Sequence, residues 1–340
     1  MIPWLFGTFC FLLVIGTPIG ACLGLAAVVT IIMTAMRCNM VVVAQTMFAG
    51  MTSYQLMAIP LFILCGNLMG DGGLSKKLVD FINLFFRRFK GGLAYVTIAA
   101  SAFCAAISGS SPATTAAIGG IMTPEMEKTG YDEDFSLATA AAAGTLGQII
   151  PPSVGMVSYA VLAEVSVGTL FLTGFGPGLL MAAMMMIYAH MYVKKNPNII
   201  VNTKKVTKKE ALRTFMESIW ALVMPLIILG GIYSGIFTPT ESGAVACVYG
   251  IVCGRWIYKT LKWKDLPKIL VNTAVGAGTI MLILGSVQTF GFVLTRGHIP
   301  QILAEAMLSI TTNKYLILML FNILLLFTGM FLNAVSAIAL

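Results

Sequence analysis

The sequence has little charge, and this absence decides its class. Only 10% of the 340 residues are Asp, Glu, Lys or Arg, whereas 58% are hydrophobic. Soluble domains carry about 25% charged residues, so the composition excludes an ordinary soluble protein. With a mean hydropathy of +0.92, the chain is predicted to be an all-α, polytopic membrane protein.

Residues that perform catalysis or bind transition metals are also scarce. The two histidines, His190 and His298, are far apart, and neither H-E-x-x-H nor G-x-S-x-G occurs. An intramembrane protease is disfavoured because Ser110 has no credible histidine partner in the sequence. The seven cysteines include no C-x-x-C pair, and most lie in apolar runs, as is typical of small buried residues. We therefore do not expect an enzyme.

The net charge of +8 comes from basic residues that lie in short loops between apolar blocks. They cluster in three segments, at residues 76–90, 194–213 and 255–268. This distribution is typical of cytoplasmic loops under the positive-inside rule and argues against nucleic-acid binding.

Apolar blocks of about 20 residues or more can cross a bilayer. They lie near residues 3–35, 40–70, 91–127, 135–163, 165–193, 212–236, 240–258, 267–295 and 315–340. The first block lacks a preceding basic region, so it is predicted to span the membrane rather than to be a cleaved leader. Thr238 or Thr240 is expected to cap a helix with Glu241 in its first turn, with contact to a partner subunit as the alternative role of this loop.

Two of these blocks contain polar interruptions. Block 91–127 is too long for one span and carries SGSSPATT at residues 108–115. A helical hairpin at about 102–127, open to the cytoplasm and with its tip near the midplane, fits it best. Block 135–163 carries GTLGQIIPPS at residues 144–153 and is predicted to be a broken helix. In lipid, irregular backbone is tolerated only where it lines a site, so the two interruptions predict a solute transporter.

The predicted site has neutral oxygen ligands. No Asp or Glu lies within residues 102–123 or 141–162, which disfavours a carboxylate proton relay and favours Na⁺ held by hydroxyls and carbonyls. Helix N-termini at the same place would present amides to an anionic substrate. The residues favoured for these roles are Ser110, Ser111, Thr114, Thr115, Gly144, Thr145, Gly147, Pro151, Pro152 and Ser153. The alternative is that these small residues only allow close helix packing.

A weaker repeat of the first interruption lies near the end of the chain. Residues 328–338 show a similar alternation of small and polar residues. Inverted repeats place such elements at corresponding positions of the two halves. The sequence stops at Leu340 within an apolar run, so we expect the natural protein to be longer by roughly 60–90 residues, at about 20 residues per span.

Several motifs, in order over nearly the whole chain, resemble the large membrane subunit of TRAP (tripartite ATP-independent periplasmic) transporters. They are Ala58–Met69, Gly91–Ala94, Ser108–Thr114, Gly130–Asp132, Gly147–Ser153, Phe175–Gly178 and Phe237–Glu241. The resemblance implies an elevator-type, Na⁺-driven importer of organic acids with inverted repeats, in the bacterial inner membrane. A small four-helix membrane subunit and a soluble periplasmic binding protein would be its partners.

The resemblance also implies a domain plan and a set of ligands. Scaffold helices would occupy residues 1–90 and 164–295, and transport-domain units residues 91–163 and 296–340, the second one truncated. For Na⁺ it implies Ser108, Ser110, Ser111, Thr114, Gly144, Gly147, Ile150 and Pro151, with Gly329 and Asn333 at a second hairpin. For the substrate it implies Ser111, Pro112, Thr114, Thr115, Pro152 and Ser153.

Two other transport functions stay open at this point. A stand-alone Na⁺/dicarboxylate symporter of related fold would work without a binding protein. A channel would lack saturable, Na⁺-dependent uptake. The substrate is expected to be a C4-dicarboxylate, sialic acid or a similar acid, without further distinction.

Overall fold

The structure is a computed structural model that describes residues 1–34, 39–196, 199–200, 207–311, 313–330 and 337–338. Within these ranges every regular element is helical, which confirms the all-α prediction for them. The α-helices are α1 (Ile2–Val14), α2 (Ile19–Met33), α3 (Val41–Met51), α4 (Ala58–Asp71), α5 (Leu74–Phe86), α6 (Gly92–Ser108), α7 (Ser111–Thr114), α8 (Gly120–Lys128), α9 (Glu133–Gly144), α10 (Leu146–Ile149), α11 (Val154–Leu162), α12 (Val167–Lys195), α13 (Lys208–Tyr233), α14 (Pro239–Val252), α15 (Leu266–Arg296), α16 (Ile299–Ile310) and α17 (Lys314–Gly329). A 3₁₀ turn at Tyr54–Met57 precedes α4, and π-helical turns at Thr115–Gly119 and Cys253–Ile257 follow α7 and α14.

Four helical stretches in the described ranges are long and apolar enough to cross a membrane. They are Glu133–Leu162, which joins α9 to α11, and the helices α12, α13 and α15. The apolar block at 40–70 is not straight, because α3 and the helical stretch Tyr54–Asp71 are bent by 57°. The block at 3–35 is also two helices, since Gly16 adopts φ +86° after α1 and Pro18 precedes α2.

The chain divides into two compact units. The first unit comprises Met1–Leu56 and Gly276–Leu340, and the second comprises Met57–Val275. In the first unit, α1 packs against α15 through the rings of Phe9 and Phe290, whose centroids are 6.1 Å apart. The second unit contains both polar interruptions and all three basic segments.

The N-terminus of α14 confirms the predicted cap. The Glu241 amide donates to Thr238 Oγ1 (3.3 Å), and the Thr238 amide donates to Glu241 Oε2 (2.8 Å). Together these bonds form a capping box, which satisfies two backbone donors that the helix itself cannot use. One turn later the Ser242 hydroxyl donates to the Ile228 carbonyl (2.8 Å) and ties α14 to α13.

The three basic segments meet at one end of the second unit, which we call the basic end. Lys77 Nζ on α5 lies 2.6 Å from Glu217 Oε2 on α13. The Tyr258 hydroxyl donates to the Glu217 carbonyl (2.8 Å), and the Thr260 hydroxyl donates to the Gly72 carbonyl (2.5 Å). Because loops rich in Lys and Arg stay in the cytoplasm, we assign the basic end to the cytoplasmic side.

A helical hairpin occupies residues 92–128. Its first arm is α6, and its return arm runs through α7, the π turn and α8. Near the open end, the Thr97 hydroxyl on α6 donates to Met126 Sδ on α8 (3.4 Å). The first arm begins at Gly92, earlier than the residue 102 expected from the sequence.

The open end of this hairpin lies at the basic C-terminal end of α12. The amide of Ile200, which follows α12, donates to the Thr129 carbonyl at the end of the return arm (2.9 Å). A Cβ placed on Gly91, just before α6, would lie 2.6 Å from Val193 Cγ2. The hairpin therefore opens toward Lys194 and Lys195, the side assigned to the cytoplasm.

Candidate functional site

The polar interruption at residues 144–153 breaks the span that starts with α9. After the single turn of α10, residues Ile150 to Ser153 leave the helix, and the Pro151–Pro152 peptide bond is cis. Proline has no amide hydrogen to continue a helix. The Ser153 hydroxyl donates to the Gln148 carbonyl (2.7 Å) and accepts from the Met156 amide (3.3 Å). Ser153 thus joins the two sides of the break and caps α11.

The polar interruption at residues 108–115 forms the hairpin tip. Gly109 adopts φ +61°, a left-handed conformation that ends α6 and favours glycine. Across the tip, Ser108 Oγ and Thr114 Oγ1 are 2.7 Å apart and share a hydrogen bond. Both side chains are buried, at 2% and 0% exposure, so this bond closes the hairpin inside the protein.

The hairpin tip and the helix break are in direct contact. The Val154 amide at the start of α11 donates to the Gly109 carbonyl (3.0 Å). A Cβ placed on Gly147 would lie 2.6 Å from the Ser110 carbonyl oxygen and 2.7 Å from Thr114 Oγ1. Glycine at position 147 is therefore required by the close approach of the tip.

The same contact continues at Gly144, whose backbone lies against Thr115. A Cβ at Gly144 would lie 2.8 Å from Thr115 Cβ and would meet the Thr115 hydroxyl oxygen. The Thr115 hydroxyl donates to the Ser111 carbonyl (2.9 Å) within the return arm.

Some residues of the site were missed by the sequence reasoning. A Cβ at Gly178 on α12 would lie 2.6 Å from Ile150 Cγ1, and one at Gly66 on α4 would lie 3.0 Å from Ser108 Cβ. Cys104, one turn before Ser108 on the same helix, is also buried. The signal for Gly178 was its spacing of four from Gly174, because small residues on one helix face allow close approach.

The structure brings together the predicted residues of the first site, but not with equal burial. Those that are buried are Ser108, Thr114, Gly144, Gly147, Ile150, Pro151, Pro152 and Ser153. Ser110, Ser111 and Thr115 are half-buried, and Pro112 is exposed. Thr145 lies elsewhere, since it is exposed and its hydroxyl donates to the Ala142 carbonyl of its own helix (2.6 Å).

The residues predicted for a second site belong to a different part of the chain. Gly329 ends α17 in the first unit and is exposed. Asn333 lies outside the described residues. A second hairpin with its own ion site therefore stays a prediction.

The donor set at the contact of tip and break consists of hydroxyls and backbone carbonyls. In the described ranges, no group of three or more His, Cys, Asp and Glu side chains could hold a metal ion. Neutral oxygens suit a hard monovalent cation and avoid the cost of burying an unpaired carboxylate. The arrangement fits Na⁺ in chemistry and contains no group that could relay protons as a carboxylate does.

Comparison with a known protein family agrees with the motifs. The family model described as "Tripartite ATP-independent periplasmic transporter, DctM component" matches residues 6–340. The match includes both the hairpin and the broken helix.

Individual relatives are similar over most of the chain. The isethionate TRAP transporter permease protein DctMQ of Oleidesulfovibrio alaskensis is 41% identical over 341 residues, covering 99% of this chain and 53% of the relative. The C4-dicarboxylate TRAP transporter large permease protein DctM of Pseudomonas aeruginosa is 39% identical over 292 residues, covering 85% and 67%. The sialic acid TRAP transporter large permease protein SiaM of Vibrio cholerae is 33% identical over 329 residues, covering 97% and 76%. The chain thus spans about half the length of the first relative and more of the other two.

Proposed function

This chain belongs to the family of DctM components of tripartite ATP-independent periplasmic transporters, and we propose that it carries an ion and substrate site of a Na⁺-coupled large permease. The observation that carries the proposal is the buried contact between the hairpin tip and the helix break. Irregular backbone at this depth is costly in lipid unless it serves a site. Close helix packing alone would not need two interrupted helices that face each other.

Neutral oxygens of this contact would hold the coupling ion. The hydroxyls of Ser108 and Thr114 and backbone carbonyls of the segment from Gly144 to Pro151 are the candidate ligands. Na⁺ bound there would supply positive charge beside the tip. That charge would favour an anion at the same place, which is how the gradient of the ion would be coupled to the substrate.

The substrate proposed is a small organic anion. The names of the three relatives refer to isethionate, C4-dicarboxylates and sialic acid, all of which are anionic at neutral pH. The return arm starts at Ser111, and the N-terminal end of a helix favours an anion by about 0.3–1 kcal/mol when exposed and by up to ~2 kcal/mol when partly buried. The Ser110 and Ser111 hydroxyls have no protein partner among the hydrogen bonds of the described residues. Of the two, Ser111 begins the return arm, so its hydroxyl is proposed as the main substrate contact.

We propose further that the hairpin and the broken helix move together as part of an elevator, with residues 1–90 and 164–295 contributing scaffold helices. A small four-helix membrane subunit and a periplasmic binding protein would complete the transporter in the bacterial inner membrane. The tripartite and periplasmic character stated in the family description supports both partners.

The test is uptake of a labelled organic anion into proteoliposomes that hold the full-length large subunit and its small partner. Binding protein and an inward Na⁺ gradient are each present or absent. Ser111→Ala is compared with wild type, and Thr295→Ala serves as the control because the Thr295 hydroxyl is exposed and bonds to Gly291 of its own helix. Uptake that needs both components, and that falls for Ser111→Ala alone, supports the proposal.

Two results would contradict it. Uptake without the binding protein would favour a stand-alone Na⁺/dicarboxylate symporter of related fold. Uptake without a Na⁺ gradient would remove the role assigned to the neutral oxygens of Ser108 and Thr114.

A further inference from the structure

A cavity of about 410 Å³ lies beside the hairpin, on the side away from the helix break. One wall comes from α4 and the start of α5, and the other from the return arm. Its lining includes Asn67, Asp71, Lys76, Ala113, Ala117 and Gly120. The volume falls within the range of sites for small molecules, about 300–1,000 Å³.

The two ends of this cavity have different surroundings. At the inner end it is lined by Gly66, whose backbone lies against Ser108 of the tip, and by Ala113, the neighbour of Thr114. At the outer end Asp71 and Lys76 are exposed. Gly72, which follows Asp71, accepts a hydrogen bond through its carbonyl from the Thr260 hydroxyl at the basic end. The cavity therefore runs from the hairpin tip to the side assigned to the cytoplasm.

The two walls differ in chemistry. The wall from α4 and α5 is polar, and Asn67 is oriented there by donating from Nδ2 to Thr273 Oγ1 (3.0 Å). The return arm presents Ala113, Ala117 and Gly120, residues too small to fill the gap. Small residues on a helix face usually let two helices touch, whereas here they leave open space. Packing of α4 on the return arm therefore does not explain them.

The charge at the outer end suits an anion. Lys76 makes no ion pair within the described residues, and Thr260 of the third basic segment bonds to Gly72 nearby. The positive charge of Lys76 attracts small anions to this end, an effect that salt weakens.

We infer that this cavity is the cytoplasmic release site, through which a small carboxylate or sulfonate leaves the hairpin tip. The inference rests on the proposed function, because it takes the tip as the place where the anion is bound. Asn67 can form hydrogen bonds with an anion along the route. The small residues of the return arm leave room for the anion to pass, and Lys76 lies at the cytoplasmic opening.

Access of a charged thiol reagent tests the route directly. Ala117→Cys and Ala183→Cys are made in the full-length subunit with its small partner, and labelling of the unchanged protein is subtracted. Ala183 is exposed in the middle of α12 but outside the cavity. An anionic, membrane-impermeant methanethiosulfonate is added to the cytoplasmic face of inside-out vesicles, and the rate of labelling is measured.

A water-filled route predicts that Ala117→Cys reacts at least about ten-fold faster than Ala183→Cys, because only a hydrated thiol ionises to the reactive thiolate. Saturating substrate should slow this reaction, and the modified protein should lose uptake. Equal rates for the two cysteines, or labelling of residue 117 only from the periplasmic face, would overturn the inference.

The role of Lys76 is tested separately by exchange of substrate across the cytoplasmic face. Lys76→Gln should raise the apparent KM there by about three- to ten-fold at low salt, and less at high salt. Lys90→Gln removes an exposed charge of the same basic segment outside the cavity and should have little effect. Equal effects of the two variants would contradict the assignment of Lys76.

These measurements separate the inference from the proposed function. Labelling of residue 117 needs no transport, so it can succeed even if uptake proves independent of Na⁺ or of the binding protein. If uptake behaves as proposed but residue 117 is no more accessible than residue 183, the release site alone is wrong.

Discussion

Replacing Gly147 by alanine should disable the site by pushing the hairpin tip away from the helix break. The added Cβ would lie 2.6 Å from the Ser110 carbonyl oxygen and 2.7 Å from Thr114 Oγ1. Ordinary contact begins near 3.4 Å, so the tip must withdraw by about 0.8 Å. Both neighbours belong to the closed tip, in which the Ser110 carbonyl accepts from the Thr114 amide (3.0 Å).

The cost can be stated as a range. Overfilling a packed interior costs about 1–3 kcal/mol, which corresponds to a factor of about 5–150 in an equilibrium constant. If this cost falls on the arrangement that binds the ion, the apparent affinity for Na⁺ should decrease by that factor. We expect uptake by Gly147→Ala to require a correspondingly higher Na⁺ concentration.

The assay is initial uptake as a function of Na⁺ concentration, with thermal unfolding of the purified protein measured in parallel with and without Na⁺. Gly230→Ala is the control, because Gly230 lies within α13 and no atom is within 4 Å of its added Cβ. An unchanged Na⁺ dependence in Gly147→Ala, with the protein folded, would refute the idea that the tip must approach the break this closely.

Further predictions concern stability and pH. Thr114→Val should lower the free energy of unfolding by about 1–3 kcal/mol, because the buried Ser108 hydroxyl loses its hydrogen-bond partner. Ser108→Ala should then lower the free energy of unfolding much less in the Thr114→Val protein than in wild type. Ser153→Ala should cost about 0.5–2 kcal/mol through loss of the α11 cap, whereas the exposed Ser234→Ala should be close to neutral; equal losses would contradict the capping role. Burial raises the pKa of the Asp80 carboxyl on α5, so its contribution to stability is present at low pH and is lost as pH rises through the folded-state pKa. Asp80→Asn should therefore raise the thermal midpoint more near pH 8 than near pH 4. The first pH lies well above the ordinary Asp pKa of about 3.9, and the second lies close to it. A larger gain in thermal midpoint at pH 4 would contradict this reasoning.

The two interruptions could be located from the sequence because their causes are local. Pro151 and Pro152 cannot continue a helix, and Gly109 ends one in the left-handed conformation, whatever surrounds them. The Thr238 cap was predictable for the same reason, since its partners lie within one turn.

Features that depend on distant residues were not accessible in this way. No local rule separates Thr145, whose hydroxyl bonds to its own helix, from Thr114, whose hydroxyl closes the tip. The contribution of Gly178 on α12 and Gly66 on α4 depends on which helix packs behind the site. These contacts join residues that are far apart in the chain.

By itself the sequence determined the membrane class, the two broken elements and the lack of acidic residues in them, because composition and local backbone preference control these features. The family followed separately from the motifs that the sequence shares with it. Only the tertiary structure decided that Gly147 faces Ser110, that the three basic segments meet at one end, and that a cavity runs from there to the tip. Each of these depends on helices packing against partners distant in the chain, and hydrophobicity in a lipid-spanning protein does not specify which partner a helix selects.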